Sequence, residues 1–483
     1  MRYTTYMASL RVTSWYIQAF WNKYKRVIIA SVVFGVILVW FFPTLIQLVP
    51  RQQKTSYIGR VGLYGWLDVP ADIQSKVSTG LTALDETGQP VPVLAQRWTV
   101  EEDGRAFRFL LKDNLKWQDG KPFTADDVNY NFTDVQTVAT DNTILFRLQD
   151  AYAPFPTVVS QPLFRQVKRK RFGFWNENSI IGLGEYRIQS LKYQNTFISQ
   201  LVITNAQERL VYRFYPSEED AITAFRSGQV DTIEGLNSLV GLEEREKEMY
   251  QVEESVNLNE YVAIFFNNSD ANLSKEMRQA LNYATRKPGP DDDRLRALSP
   301  ISPTSWAYNS TEEIEPFSYN LDKAIELYKI VNPPLPLKVT IDTSLSQMED
   351  AQKVAEDWKE LGRMAQAACE ANPPKDQPDC TRFQIDVQVR ALRDLQEFQV
   401  ALIAREMPSD PDQYSWWHST QATNLSHYQN PRVDKLLEDA RKETSQSKRK
   451  ILYFEFQRYL VDDAPAMFLY YLPQFEVSRS QLL

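Results

Sequence analysis

Reactive side chains are scarce in this sequence: two cysteines and two histidines among 483 residues. A structural zinc site takes four nitrogen or sulfur ligands and a catalytic one three. His418 and His427 have no thiol near them, and Cys369 and Cys380 have no histidine near them, so no metal site is expected. Hydrolysis by an activated serine needs a serine, a histidine and an acid held together. His418 stands near Ser415 and Ser419, but a G-x-S-x-G elbow is missing. Carboxylate pairs such as Glu406 with Asp410 imitate a glycosidase, yet so would any two of the 62 acidic residues. The expectation is a protein that is not an enzyme and takes no cofactor.

Basic charge is short as well. Residues 1–60 hold eight of the 54 bases and no acid, which leaves 46 bases against 62 acids, a net charge of −16, for the rest of the chain. Phosphate recognition needs clustered lysine and arginine, so no nucleic-acid partner is expected. Cationic or zwitterionic ligands fit this balance better. The one basic run in the body, Lys168 to Arg171, reads as a solvated loop.

Charge is absent from residues 27–49, VIIASVVFGVILVWFFPTLIQLV. About 20 apolar residues cross a bilayer. A core helix would not stay uncharged for so long, and a secretory signal would have a shorter apolar region and a small-x-small cleavage site. Leu48-Val49-Pro50-Arg51-Gln52 offers no such site, and no lipobox cysteine is present. The run therefore reads as an uncleaved, single-pass membrane anchor. Five bases precede it and three follow closely, which places the N-terminus in the cytoplasm and the body outside the cell, in the periplasm if an outer membrane exists. Trp15, Tyr16, Phe20, Trp21 and Tyr24 crowd the inner side as interfacial aromatics do. In that oxidising setting Cys369 and Cys380, which flank EANPPKDQPD, favour a disulfide. Closing such a loop is worth about 3 kcal/mol on the chain-entropy model. Two free thiols or a metal pair are the alternatives.

The most legible stretch present is 91–132. Trp98 and Val100 alternate with polar residues, Asp103-Gly104 turns the chain, and Phe107, Phe109 and Leu111 alternate in turn, which predicts a β-hairpin with one apolar face. After a second turn at Asp119-Gly120, Thr124 stands three residues before Asp127, a capping-box start for a helix. Farther on, strand and helix patterns alternate: a strand at 211–214, helices at 218–227 and 275–284, a strand at 261–268, then helix 320–331, strand 337–343, helix 348–361, strand 383–389 and helix 448–464. Such alternation predicts α/β lobes.

Several of these segments together resemble extracellular solute-binding protein family 5, the peptide/nickel-type binding components of ABC importers. The pattern is carried by Leu94, Ala95, Trp98, Asp103, Gly104, Phe107, Phe109, Lys116, Trp117, Asp119, Gly120, Pro122, Phe123, Thr124, Ala125, Asp127 and Val128. It continues in SGQVD at 227–231, MRQALNYA at 277–284, NPRVDKLL at 430–437 and DAP at 463–465. The resemblance runs from about residue 58 to about residue 475. It implies a two-lobed, periplasmic-binding-protein-like α/β fold (type II, cluster C) with an extra small domain, preceded here by one transmembrane helix. The expected division is a cytoplasmic segment at 1–26, the anchor at 27–49, a first lobe at 50–90 and 182–268, the small domain at 91–181, a second lobe at 269–460, and a return to the first lobe at 461–483.

The implied function is a membrane-anchored receptor, monomeric, that captures an oligopeptide or similar small solute between its lobes and delivers it to ABC permease subunits. A surface sensor or chaperone-like module without transport is the second reading, and a hydrolase the third. Binding is expected from Glu406, Asp410, Tyr414, Trp416 and Trp417, which combine acids for a ligand ammonium with stiff aromatic surfaces. Trp306, in the Pro-rich loop at 299–308, and Tyr64, at the end of the first strand, are expected beside them. Peptide-binding members place an amine-clamping aspartate four residues before the proline of this DP segment; here Met407 stands at that place and Glu406 one residue earlier.

Overall fold

The computed structural model describes residues 15, 18–27, 29–31, 33–35, 53–66, 68–171, 175–242, 249–289, 294–310, 317–376, 378–395 and 397–479, without the side chains of 169–178. The chain forms two compact units, residues 1–54 with 206–208, and residues 55–205 with 209–483. In the first unit, residues 18–27 are helical. Phe20 and Tyr24 meet at helical spacing with ring centroids 4.9 Å apart, and Trp15, Val27, Ile29 and Phe34 are exposed. Most of the 27–49 run lies outside the described residues. Among the described residues no helix is long and apolar enough to cross a membrane.

Strand β1 (Lys54–Val61), all but its first residue in the second unit, is followed by α1 (Ala71–Val77) and the small pair β2 (Thr82–Leu84) and β3 (Pro90–Pro92). The expected hairpin follows as β4 (Ala95–Glu101) and β5 (Ala106–Leu111), in register from Trp98 opposite Phe109 to Val100 opposite Phe107. With β6 (Gln136–Thr140) and β7 (Thr143–Arg147) it forms a four-stranded antiparallel sheet in the order β4-β5-β7-β6. The apolar face is complete on β5, where Phe107, Phe109 and Leu111 are buried. On the edge strand β4, Trp98 is half-buried and Val100 exposed.

Two local expectations change here. The Thr124–Asp127 capping box forms, with the Thr124 N–H donating to Asp127 Oδ2 at 2.8 Å, but it caps a single 3-10 turn, Ala125–Asp127. Asn131 then takes a positive φ of 55° and no helix propagates. The chain continues through the one-turn α2 (Phe155–Val158) to β8 (Arg165–Arg171) and β9 (Trp175–Ile181), which pair in a two-stranded sheet. The basic run is therefore the end of a strand and not a loop, because its backbone pairs with residues 175–178.

The remaining strands are β10 (Arg187–Gln194), β11 (Phe197–Thr204) and β12 (Glu208–Tyr215), then, after α3 (Glu218–Arg226), β13 (Thr232–Leu236) and β14 (Tyr250–Phe266). Helices α4 (Lys275–Ala284) and α5 (Leu321–Val331) lead to β15 (Leu337–Thr343), α6 (Met348–Ala371), β16 (Ile385–Ala391) and β17 (Val400–Glu406). The short α7 (Tyr414–Trp417), α8 (Pro431–Lys442) and α9 (Gln446–Asp463) precede the last strand, β18 (Ala466–Arg479). Helix α6 runs well past Leu361 because Ala365 and Cys369 prolong its buried stripe from Val354, Trp358 and Leu361. Cys369 is disulfide-bonded to Cys380, with Cα atoms 5.7 Å apart.

One ten-stranded sheet threads both lobes in the order β10-β11-β12-β1-β13-β18-β14-β17-β15-β16. The long strands β14 and β18 belong to both. Tyr250 to Asn257 pair with the end of β18, beside the first-lobe strand β13, and Tyr261 to Phe265 pair with its beginning, beside β17. Their ladder breaks between Asn257 and Tyr261. This interruption, at residues 258–260, is called the joint.

Candidate functional site

Beside this joint, a cavity of about 360 Å³ separates the first lobe's Leu84–Gly88 turn and Ala71 from the second lobe's Pro300–Ser305 loop and Glu406–Gln413 segment, and Asn259 lines it as well. The turn is stiffened from within. Asp85 Oδ1 accepts from the Thr87 N–H at 2.9 Å, the Thr87 hydroxyl at 2.8 Å and the Gln89 N–H at 2.9 Å. Those bonds, the Gln89 N–H first, hold its carboxyl below the ordinary carboxylate range. Gly88 has φ 78°, and a Cβ there would come within 3.2 Å of the Ser409 carbonyl oxygen. The lobes also bond directly: the Trp306 N–H donates to the Thr87 carbonyl at 3.0 Å. On the opposite wall the Met407 N–H donates to the Asn259 carbonyl at 2.7 Å, which seats the end of β17 on the joint. Pro408 and Pro411 then keep the segment out of the sheet.

Of the residues expected to bind, Glu406 lines this cavity and is exposed. Glu260 is its direct cross-strand partner, so both carboxylates project from the same face of the sheet. Burial, and then the charge of Glu406, push the Glu260 carboxyl above its ordinary value. Tyr64, in the first lobe, does not line the cavity but lies within electrostatic reach of Glu406. Its hydroxyl donates to the Val61 carbonyl at 2.8 Å, and its pKa is raised by burial, with Asp72 and Glu406 adding to the rise and Arg60 opposing it. Arg60 itself is matched by Asp72 at 2.6 Å and Glu234 at 3.1 Å.

The other expected residues are engaged within the chain. Asp410 is buried against Arg449 at 2.7 Å, and the Thr157 hydroxyl donates to it at 3.4 Å. The Trp306 ring packs edge-on to Tyr453, 6.0 Å between centroids, with the Arg449 guanidinium 5.2 Å above it. Tyr414 stacks on His418 at 4.2 Å and under Arg441 at 4.3 Å. Arg441 also pairs with Asp412 at 2.8 Å, and its carbonyl accepts from the Ala153 N–H at 2.6 Å, which ties the second lobe to the small domain. Trp416 lies under the guanidinium of Arg405 at 3.8 Å. Trp417 is 1 % exposed and stacks on Phe265 in the core.

Sequence reasoning missed Glu260, Asn259, Gln413 and the Leu84–Gly88 turn. Glu260 and Glu406 meet only through the β14–β17 register, across 146 residues that carry no local sign of it. The proline pair around Ser409 was a usable signal for a non-strand wall.

The hydrolytic arrangement is not assembled at His418. Its ring nitrogens face Thr420 at 2.9 Å and Glu438 at 3.4 Å, while the Ser419 hydroxyl donates to Asp434 at 2.6 Å. Among the described residues no cluster of three or more His, Cys, Asp or Glu side chains could hold a metal ion.

The family model described as bacterial extracellular solute-binding proteins, family 5 middle, matches residues 89–140 and 134–425. The oligopeptide-binding protein AppA of Bacillus subtilis is 22% identical over a 508-residue alignment covering 87% of each chain. The nickel-binding periplasmic protein of Escherichia coli is 25% identical over 300 residues, 54% of this chain and 57% of that protein. Among solved structures, the ABC transporter substrate-binding protein CtaP of Listeria monocytogenes superposes with a TM-score of 0.69 at 21% identity, covering 89% of this chain and 95% of that one. At that identity the superposition speaks for the two-lobed fold.

Proposed function

This chain belongs to the bacterial extracellular solute-binding proteins of family 5, and from that membership we propose that it is a membrane-anchored receptor that captures oligopeptides or similar small solutes and passes them to an ABC-type permease. The observation that carries the reading is the cavity between two lobes joined by β14 and β18, whose shared ladder is interrupted beside it. A ligand touching both walls stabilises the closed arrangement over the open one, and the population shifts accordingly. Support for a peptide comes from the oligopeptide-binding relative, aligned over 87% of each chain. Support for an anchor comes from the uncharged run at 27–49 with five bases before it, which would hold the lobes outside the cell beside a permease.

Native mass spectrometry of the detergent-solubilised full chain tests this. A ladder of co-purifying peptide masses is the expected result. A protein that carries no small molecule and binds no added peptide would sink the reading.

A further inference from the structure

The cavity wall mixes apolar residues with polar ones, and every charged side chain the structure places in it is acidic. Among the described residues, the charged side chains lining it are Asp85, Glu86 and Glu406, and no lysine or arginine lines it. Glu260 stands directly opposite Glu406 on the neighbouring strand. Arg60, the cation beside Tyr64, already has two carboxylate partners. Arg405, next to Glu406 in β17, points to the other face of the strand and lies over Trp416. Among the described residues no ion pair engages Asp85, Glu86, Glu406 or Glu260.

A second observation is independent of the acids. Gln413 lines the same cavity, is 1 % exposed, and its side-chain oxygen Oε1 has no hydrogen-bond partner. An orphaned buried acceptor costs about 1–3 kcal/mol, and a ligand N–H would satisfy it. Two like charges on one face with no counter-ion likewise favour an incoming cation.

Resting on the receptor reading above, we propose that this cavity selects a basic oligopeptide, seating a lysine or arginine side chain against Glu406 and Glu260 and donating an N–H to Gln413. An acidic peptide is rejected by the same groups, because it would bring a further carboxylate to a wall that already holds Asp85, Glu86 and Glu406.

The full chain in detergent is titrated with trilysine, trialanine and triglutamate by calorimetry, alongside Glu406→Gln and Glu260→Gln variants whose near-ultraviolet circular dichroism confirms native packing. Trilysine should bind at least about tenfold more tightly than trialanine, with triglutamate weakest. Each substitution should weaken trilysine binding more than trialanine binding, so that the trilysine preference narrows. Equal binding of triglutamate and trilysine, or a preference that survives both substitutions, overturns the proposal and leaves the receptor reading standing. If no tripeptide binds, the charge of the ligand carried in native mass spectrometry decides: a cation upholds the proposal, a neutral or anionic ligand overturns it. Absence of any carried ligand overturns the receptor reading with it.

Discussion

The β4–β5 hairpin and the Glu406–Trp417 segment have similar side chains and opposite construction. Both are rich in aromatics and acids. In the hairpin, Phe107 and Phe109 go inside while Glu101 stays near the surface with Arg108, seven residues away, at 2.7 Å. In the segment, Asp410 goes inside and Glu406 stays out. A buried carboxylate needs a partner, and the partner of Asp410 is Arg449, 39 residues farther along the chain. The hairpin is thus stabilised by its own neighbourhood, whereas the segment holds its shape only if α8 and α9 deliver Arg441 and Arg449 to it. The same acid type serves two purposes three hundred residues downstream: Asp410 and Asp412 fix the wall, and Glu406 is left to face the cavity.

The contrast is tested most severely by Phe109→Ala, which removes a fully buried ring. We expect a loss of about 3–5 kcal/mol in urea unfolding followed by circular dichroism, with the tripeptide preference unaltered in the molecules that remain folded. A change of preference would mean that the hairpin and the cavity are coupled. Next comes Asp410→Asn, which strands the Arg449 guanidinium. A cost of about 3 kcal/mol is expected, and an Asp410→Leu, Arg449→Met pair should recover most of it. If the single substitution is neutral, the internal pair is not what holds the wall, and Asp410 returns as a ligand contact. Thr124→Ala should cost about 1 kcal/mol, since its box caps one turn; a much larger loss would show that this turn anchors the small domain.

The same contrast explains what the sequence disclosed. Period-two alternation around Asp103-Gly104 is a local signal, and the hairpin and most lobe elements followed from signals of that range. The capping box at Thr124 was also legible, but a cap starts a helix without sustaining one, and Val128 and Tyr130 continue at strand spacing into Asn131. Helix α6 was read ten residues short because Ala365 and Cys369 are small for a core stripe. The site was far less legible. Glu406 could be singled out from the family pattern, but its partner Glu260 is set by sheet register, and the engagement of Asp410, Tyr414, Trp416 and Trp417 is set by side chains of other elements.

The smallest effect is a pH dependence that separates Glu260 from the acids around it. Burial raises its folded-state pKa above the ordinary 4.5, and Glu406 raises it further. A carboxyl whose pKa is higher in the folded chain binds its proton more tightly there. Its stabilising contribution is complete below the unfolded value and is lost as pH rises through the folded one. Unfolding curves of the wild type, Glu260→Gln and Glu406→Gln collected from pH 4 upward isolate the contribution by difference. Relative to Glu260→Gln, the wild type should lose stability as pH climbs above about 4.5. Glu406→Gln should show a smaller loss over the same range, because burial alone remains to raise the Glu260 pKa. Saturating trilysine should diminish the wild-type loss, since a cation seated between the two carboxylates favours their charged forms. If instead trilysine leaves the pH dependence unchanged while binding tightly, the cation sits elsewhere in the cleft, and the pairing of Glu260 with Glu406 is a feature of the joint and not of ligand recognition.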